Sequence, residues 1–141
     1  MCICVLLLED NSGDAYLIKQ QLRSIDDFEF EIVEAQYLKD ALALLQEQEF
    51  DAVLLDLKLP DSQGLETFFA INQQTPSTAI IVISAMSEKD LAIEAVREGA
   101  QDYIPKGEIQ PNSLRKTIRY AIERKSIAEQ LKKRTRSKRV V

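Results

Sequence analysis

Five strand-like runs, each followed by a stretch of helical periodicity, constrain this chain more than any other feature. The runs lie at residues 3–8, 28–35, 52–57, 79–85 and 102–105. Strand and helix signals that alternate in this way argue for βαβ units and a parallel sheet. Four of the runs end on or beside a polar residue: Glu9-Asp10, Asp56, Ser84 and Lys106. Open α/β sheets place their ligand sites at the carboxyl ends of strands, so those residues are the first candidates for function.

The helical segments can be placed by their caps and apolar spacing. Ser12 can cap a helix running to about Arg23, with Tyr16, Leu17 and Leu22 facing inward. In the second run Phe28, Phe30 and Ile32 alternate with Glu29, Glu31 and Val33, as on a half-buried edge strand. Leu38, Ala41, Leu42 and Leu45 mark a helix over 38–48. The loop 58–64 leads into a helix over 65–74. Ser87-Glu-Lys-Asp90 resembles a capping box and opens a helix ending near Gly99. Pro111 begins a long last helix whose stripe of Leu114, Ile118, Ala121 and Ile122 faces the sheet.

With 141 residues the chain suits one domain, and its 45% hydrophobic and 29% charged side chains are those of a soluble protein. No apolar run is long enough to span a bilayer, and Met1-Cys2-Ile3-Cys4 lacks the basic start of a secretory signal, so a cytoplasmic location is expected. Cys2 and Cys4 have nothing to complete a metal-ligand set, because the chain contains no histidine. Burial as small apolar side chains is the better expectation for both. The net charge of −5 hides a division: residues 1–114 hold 7 basic and 21 acidic side chains, a net of −14, and residues 115–141 hold 11 and 2, a net of +9.

Three carboxylates meeting at strand ends repel one another unless a cation sits among them. Mg²⁺ suits such an oxygen-only set, with Asp10 and Asp56 as direct ligands, Glu9 acting through water and the Lys58 carbonyl as a further oxygen. Asp56 can then attack phosphorus and form an aspartyl phosphate. A transferring phosphoryl group needs positive charge and donors around it. Lys106, Ser84 and the amide of Ala85 can supply them.

These residues resemble the receiver domain of two-component response regulators. The likeness covers about residues 3–124 and rests on Leu7-Leu8-Glu9-Asp10-Asn11, Asp56-Leu-Lys-Leu-Pro60-Asp-Ser-Gln-Gly64, Ile83-Ser84-Ala85 and Gly99-Ala-Gln-Asp-Tyr103-Ile-Pro-Lys106. The resemblance implies a flavodoxin-like, doubly wound five-stranded parallel sheet of order 2-1-3-4-5 with five flanking helices, the last one extended. It implies that Asp56 is the phosphoacceptor, that Glu9 and Asp10 hold the metal, and that Ser84 and Lys106 assist. It further implies that Ser84 and Tyr103 switch together, altering the surface of the fourth helix, fifth strand and fifth helix. On composition alone, Tyr103 is equally well a strand-end aromatic half covered by a helix. The implied partners are a sensor histidine kinase or phosphotransfer protein, which must bring the histidine, and a downstream protein. Such a domain is a switch that assists only its own phosphorylation and dephosphorylation.

The chain departs from the family pattern in three places. Glu9 has one methylene more than aspartate, Gly107 follows Lys106 where the family usually has proline, and Lys58 and Met86 flank the site. Without proline a cis bond costs about 2.5–4 kcal/mol, which predicts a trans Lys106–Gly107 bond or a looser loop. A phosphatase of the haloacid-dehalogenase type would need an aspartate where Lys58 stands. A phosphorylation-independent receiver-like scaffold or dimerisation module is the remaining alternative. The domain expected over 1–124 leaves 125–141 as a basic extension of the last helix. Ile127, Ala128 and Leu131 prolong its apolar face, ahead of a basic cluster spanning 132–139. That extension reads as a solvated tail, as a connector, or as a dimerising helix. Nucleic-acid and membrane binding are disfavoured by the acidic body and the lack of interleaved aromatics.

Overall fold

Runs of β-branched and leucine side chains become strands buried on both faces where helices can cover both sides. In the computed structural model, which describes residues 2–23 and 29–140, a five-stranded sheet forms whose central strands are buried on both faces and whose two edge strands are covered only in part. The strands are β1 (Cys2–Leu8), β2 (Glu29–Ala35), β3 (Ala52–Asp56), β4 (Ala79–Ser84) and β5 (Asp102–Pro105). Between and after them run α1 (Ser12–Arg23), α2 (Leu38–Glu47), α3 (Leu65–Gln74), α4 (Lys89–Arg97) and α5 (Pro111–Val140). The sheet is parallel throughout, in the order β2-β1-β3-β4-β5. This is the doubly wound, flavodoxin-like arrangement expected from the sequence, long last helix included.

Alternate side chains of each strand feed two cores. Leu6, Leu8, Val53, Leu55, Ile80 and Val82 join Phe68 and Ile71 of α3, Ala41 of α2 and Ala92 of α4. Val5, Leu7, Leu54, Ile81 and Ile83 join Ile18 and Leu22 of α1 and Leu114, Ile118 and Ala121 of α5. The β3–α3 connection, expected as a loop, contains a small antiparallel ribbon in which Lys58 pairs with Gln63 and Leu59 with Ser62. Leu59 is buried and locks the ribbon onto the first core.

Several local expectations are corrected. Asn11, not Ser12, caps α1: its Oδ1 accepts the Asp14 amide at 2.9 Å, and Ser12 is already helical. The inward face of that helix is Ala15, Ile18 and Leu22, which follow helical spacing, while Tyr16 and Leu17 fall on its flank and are exposed. The Ser87–Asp90 capping box does not form. Met86–Glu88 make a 3₁₀ turn instead, α4 starts at Lys89 without a side-chain cap, and Asp90 has one methylene fewer than the glutamate such a box uses. Cys2 is exposed and Cys4 half-buried, because cover on their face of β1 grows along the strand toward the fully buried Leu6 and Leu8. Phe28 lies outside the described residues, and β2 begins at Glu29.

In α5 the expected stripe packs on the sheet, with Leu114, Ile118 and Ala121 fully buried. Farther along, Ile127 and Leu131 are exposed, and the Glu129 carboxylate accepts a hydrogen bond from Ser77 at 3.3 Å. The helix therefore continues past the sheet. Side chains of the basic cluster beyond Arg134 lie outside the described residues. Among the described residues no helix is long and apolar enough to cross a membrane.

Candidate functional site

One strand end and the residues directly after two others deliver the charges. Glu9 follows β1 and stays in register with the sheet, its amide donating to the Ala35 carbonyl at 3.2 Å. Its side chain is only 1% exposed. Asp56 is the last residue of β3, and Lys106 follows the end of β5. Here the Lys106 ammonium donates to Glu9 Oε1 at 2.6 Å, Asp56 Oδ2 at 2.9 Å and Asp14 Oδ2 at 3.0 Å. One cation thus neutralises part of a cluster that would otherwise repel itself.

The electrostatic consequences follow burial first. Burial, and then the Asp56 carboxylate beside it, push Glu9 up to about 9 against the pull of Lys106. For Lys106, burial acts to lower its pKa, but the hydrogen bonds to Glu9, Asp56 and Asp14 outweigh it and hold the ammonium more firmly charged than a free lysine. The Lys106 hydrogen bond holds the Asp14 carboxyl below its usual range, in spite of some burial. Ligand oxygens of Glu9, Asp10 and Asp56 all lie within 4.8 Å of one another. Glu9 Oε2 is buried with no hydrogen-bond partner. A buried acceptor without a donor, inside an all-oxygen set, fits a hard divalent cation such as Mg²⁺.

Asp56 is held at both oxygens. Oδ2 meets Lys106, and Oδ1 accepts the Lys58 amide at 2.9 Å. The residue is only 4% exposed, yet it contributes to the lining of an open cleft of about 530 Å³. Asp10, Asp14 and Lys106 also line this cleft; Lys58, Leu59, Pro60 and Gln63 of the ribbon come from one side and Ala85, Ser87 and Glu88 from the other.

Of the residues singled out in the sequence, Glu9, Asp10, Asp56 and Lys106 come together, and Lys58 stands beside them through its amide. Ser84 ends β4, is 2% exposed and is not among the cleft-lining residues, which begin with Ala85 just after that strand. Tyr103 is half-buried on β5 and packs against the first core. Met86 is 83% exposed and does not line the cleft. The described residues contain no cis peptide bond, so Lys106–Gly107 is trans, within a 3₁₀ turn over Lys106–Glu108. Asp14 was missed by the sequence reading. Its signal was the Asn11 cap, which fixes the first turn of α1 and so places the third residue after it over the strand ends.

Comparison with known proteins agrees with this fold. The family model described as response regulator receiver domain matches residues 5–119. The regulatory protein LuxO of Vibrio cholerae is 33% identical over 120 residues, which cover 85% of this chain and 26% of LuxO. The chain thus spans about a quarter of that relative's length. The chemotaxis protein CheY of Listeria monocytogenes is 34% identical over 95 residues, covering 66% of this chain and 80% of CheY. A crystal structure of a response regulator receiver domain protein from Clostridium thermocellum superposes with a TM-score of 0.76 at 30% identity, covering 89% of this chain and 98% of that one. With the family model matching residues 5–119 and the fold shared with a receiver domain at 30% identity, the chain belongs to the response regulator receiver domain family.

Proposed function

We propose that Asp56 accepts a phosphoryl group from a partner histidine and that the chain acts as a phosphorylation-controlled switch. One observation carries the reading: the Asp56 carboxylate faces an open cleft, with Lys106 Nζ 2.9 Å from one oxygen and the Glu9 and Asp10 carboxylates beside it. These 141 residues contain no histidine, so the donor lies outside them, and a sensor kinase or phosphotransfer protein is its proposed source.

In the step itself, an Asp56 oxygen forms a bond to phosphorus as the phosphorus–nitrogen bond to the donor imidazole breaks. The bonding pair leaves with the nitrogen. Lys106 is already at hydrogen-bond distance from the acceptor and supplies positive charge to the incoming oxygens. The Lys58 amide orients the carboxylate, and the amide of Ala85 at the cleft wall is a further donor. Asp10 and Asp56 would hold Mg²⁺ directly, Glu9 would reach it through water, and the Lys58 carbonyl would add an oxygen. Bound there, the ion would neutralise the carboxylates and the phosphoryl oxygens.

Ser84 and Tyr103 are the proposed reporters. A Ser84 hydroxyl drawn toward the phosphoryl oxygens leaves space that the Tyr103 ring, already packed on the core, can take. The altered face of α4, β5 and α5 would then meet a downstream protein or a second copy of the chain. We read residues 1–124 as the receiver and 125–141 as a basic extension serving as a tail or connector.

The test uses acetyl phosphate as donor with Mg²⁺, followed by ³¹P NMR and hydroxylamine treatment. An acyl phosphate that hydroxylamine cleaves, and that a chelator prevents from forming, supports the reading. No incorporation, or a hydroxylamine-stable phosphate, contradicts it.

A further inference from the structure

We infer that Asp61 is a positioning residue for the Asp56 chemistry, acting by tethering the ribbon of the β3–α3 connection to the start of α2. The inference rests on the phosphoacceptor reading of Asp56. Helix α2 begins after Tyr37, whose side chain makes no capping hydrogen bond. Its free amides are capped from elsewhere in the chain. Asp61 Oδ1 accepts the Leu38 amide at 2.7 Å, and Oδ2 accepts the Lys39 amide at 3.1 Å. An ionised carboxylate at a helix amino end, bound through both oxygens, is a directional clamp. Those two amide hydrogen bonds hold the Asp61 carboxyl below its usual range, against the effect of burial.

The clamp lies at the tip of the ribbon. Lys58 pairs with Gln63 and Leu59 with Ser62, leaving Pro60 and Asp61 as the turn. At the base, the Lys58 amide donates to Asp56 Oδ1 at 2.9 Å and the Gly64 amide to the Leu57 carbonyl at 2.8 Å. Leu59 anchors the ribbon by packing, which resists lifting but sets no direction. Asp61 adds direction, so the same two-stranded piece holds one wall of the cleft and one oxygen of the acceptor. With the tip released, the wall residues Lys58, Pro60 and Gln63 lose their fixed distance from the far side, and the Lys58 amide loses its aim. Small misplacements of this kind lower transfer rates because an in-line approach tolerates little error.

The experiment compares four full-length chains with acetyl phosphate and saturating Mg²⁺: native, Asp61→Ala, Asp61→Asn and Ala43→Gly. Ala43 is an exposed residue of α2, so its glycine variant weakens the helix without touching the ribbon. Two quantities are read: the phosphoryl uptake rate, and hydrogen exchange at the Lys58 amide. Asp61→Ala is expected to slow uptake roughly three- to tenfold and to speed exchange at Lys58, leaving the amides of Val53–Leu55 protected. Asp61→Asn, which keeps one acceptor oxygen, falls between, and Ala43→Gly matches the native chain in both. Native uptake and native Lys58 exchange in Asp61→Ala would overturn the inference. So would an equal slowing in Ala43→Gly, since the effect would then be helix stability alone. If even the native chain takes up no phosphoryl group, the acceptor reading has failed, and Lys58 exchange by itself still decides whether Asp61 holds the ribbon.

Discussion

Lys106 is the charge that makes the metal-free site tolerable, and its removal shows what it offsets. It is 22% exposed and shared by three carboxylates, two of them nearly buried. Lys106→Ala should cost about 2–4 kcal/mol without a divalent cation, somewhat less than breaking a fully buried pair. Added Mg²⁺ should recover much of that loss, as urea unfolding with and without the ion will show. Glu9 gives a pH prediction with a definite sign. Its folded value of about 9 stands above the ordinary 4.5, so between those limits the folded chain binds more protons than the unfolded one. Metal-free stability should therefore fall as pH rises through that window. Mg²⁺ should bind more tightly toward its upper end, where no proton has to leave Glu9. Glu9→Gln should flatten both profiles, and unchanged profiles in that variant would rule out Glu9 as the titrating group.

Individual elements show where sequence reasoning succeeded and where it stopped. Gly64 has φ +77°, in the region that favours glycine, and a Cβ there would meet nothing within 4 Å. Gly64→Ala should then cost only the backbone strain, about 1–3 kcal/mol in thermal unfolding, with no loss from overpacking. The strands β3 and β4 were legible because their runs are apolar on both faces, and α3 because its apolar spacing agrees with its preceding glycine. Helix starts were less so. Asn11 and Ser12 are both good caps, and only the folded chain, in which the Asp14 amide donates to Asn11, shows which one is used. The cap on α2 lies 22 to 23 residues away in sequence, beyond any local pattern. Tyr16 and Leu17 misled because apolar character identifies a helix more readily than it identifies which of its faces is covered.

Over the whole molecule, burial along α5 falls off toward its carboxyl end. Ile118 is fully buried whereas Ile127, nine positions on, is 58% exposed. Ile118→Ala should cost about 2–5 kcal/mol and Ile127→Ala less than about 0.5 kcal/mol, as chemical denaturation will measure. Comparable losses at both positions would mean that the extension belongs to the folded core. The converging residues at 9, 10, 56 and 106 were legible because a parallel sheet puts successive strand ends on one edge. What the sequence could not give was the partition of contacts there: Lys106 reaching Asp14, the Lys58 amide on Asp56, and Ser84 buried behind the cleft lining. Those depend on rotamers and on the ribbon, which only folding determines.

The central claim is that Asp56 is the atom-level acceptor, and intact mass spectrometry tests it most directly. After incubation with acetyl phosphate and Mg²⁺, the native chain should gain the mass of one phosphoryl group and Asp56→Asn should gain none. A native chain of unchanged mass, or an equal gain in the Asp56→Asn chain, would contradict the account.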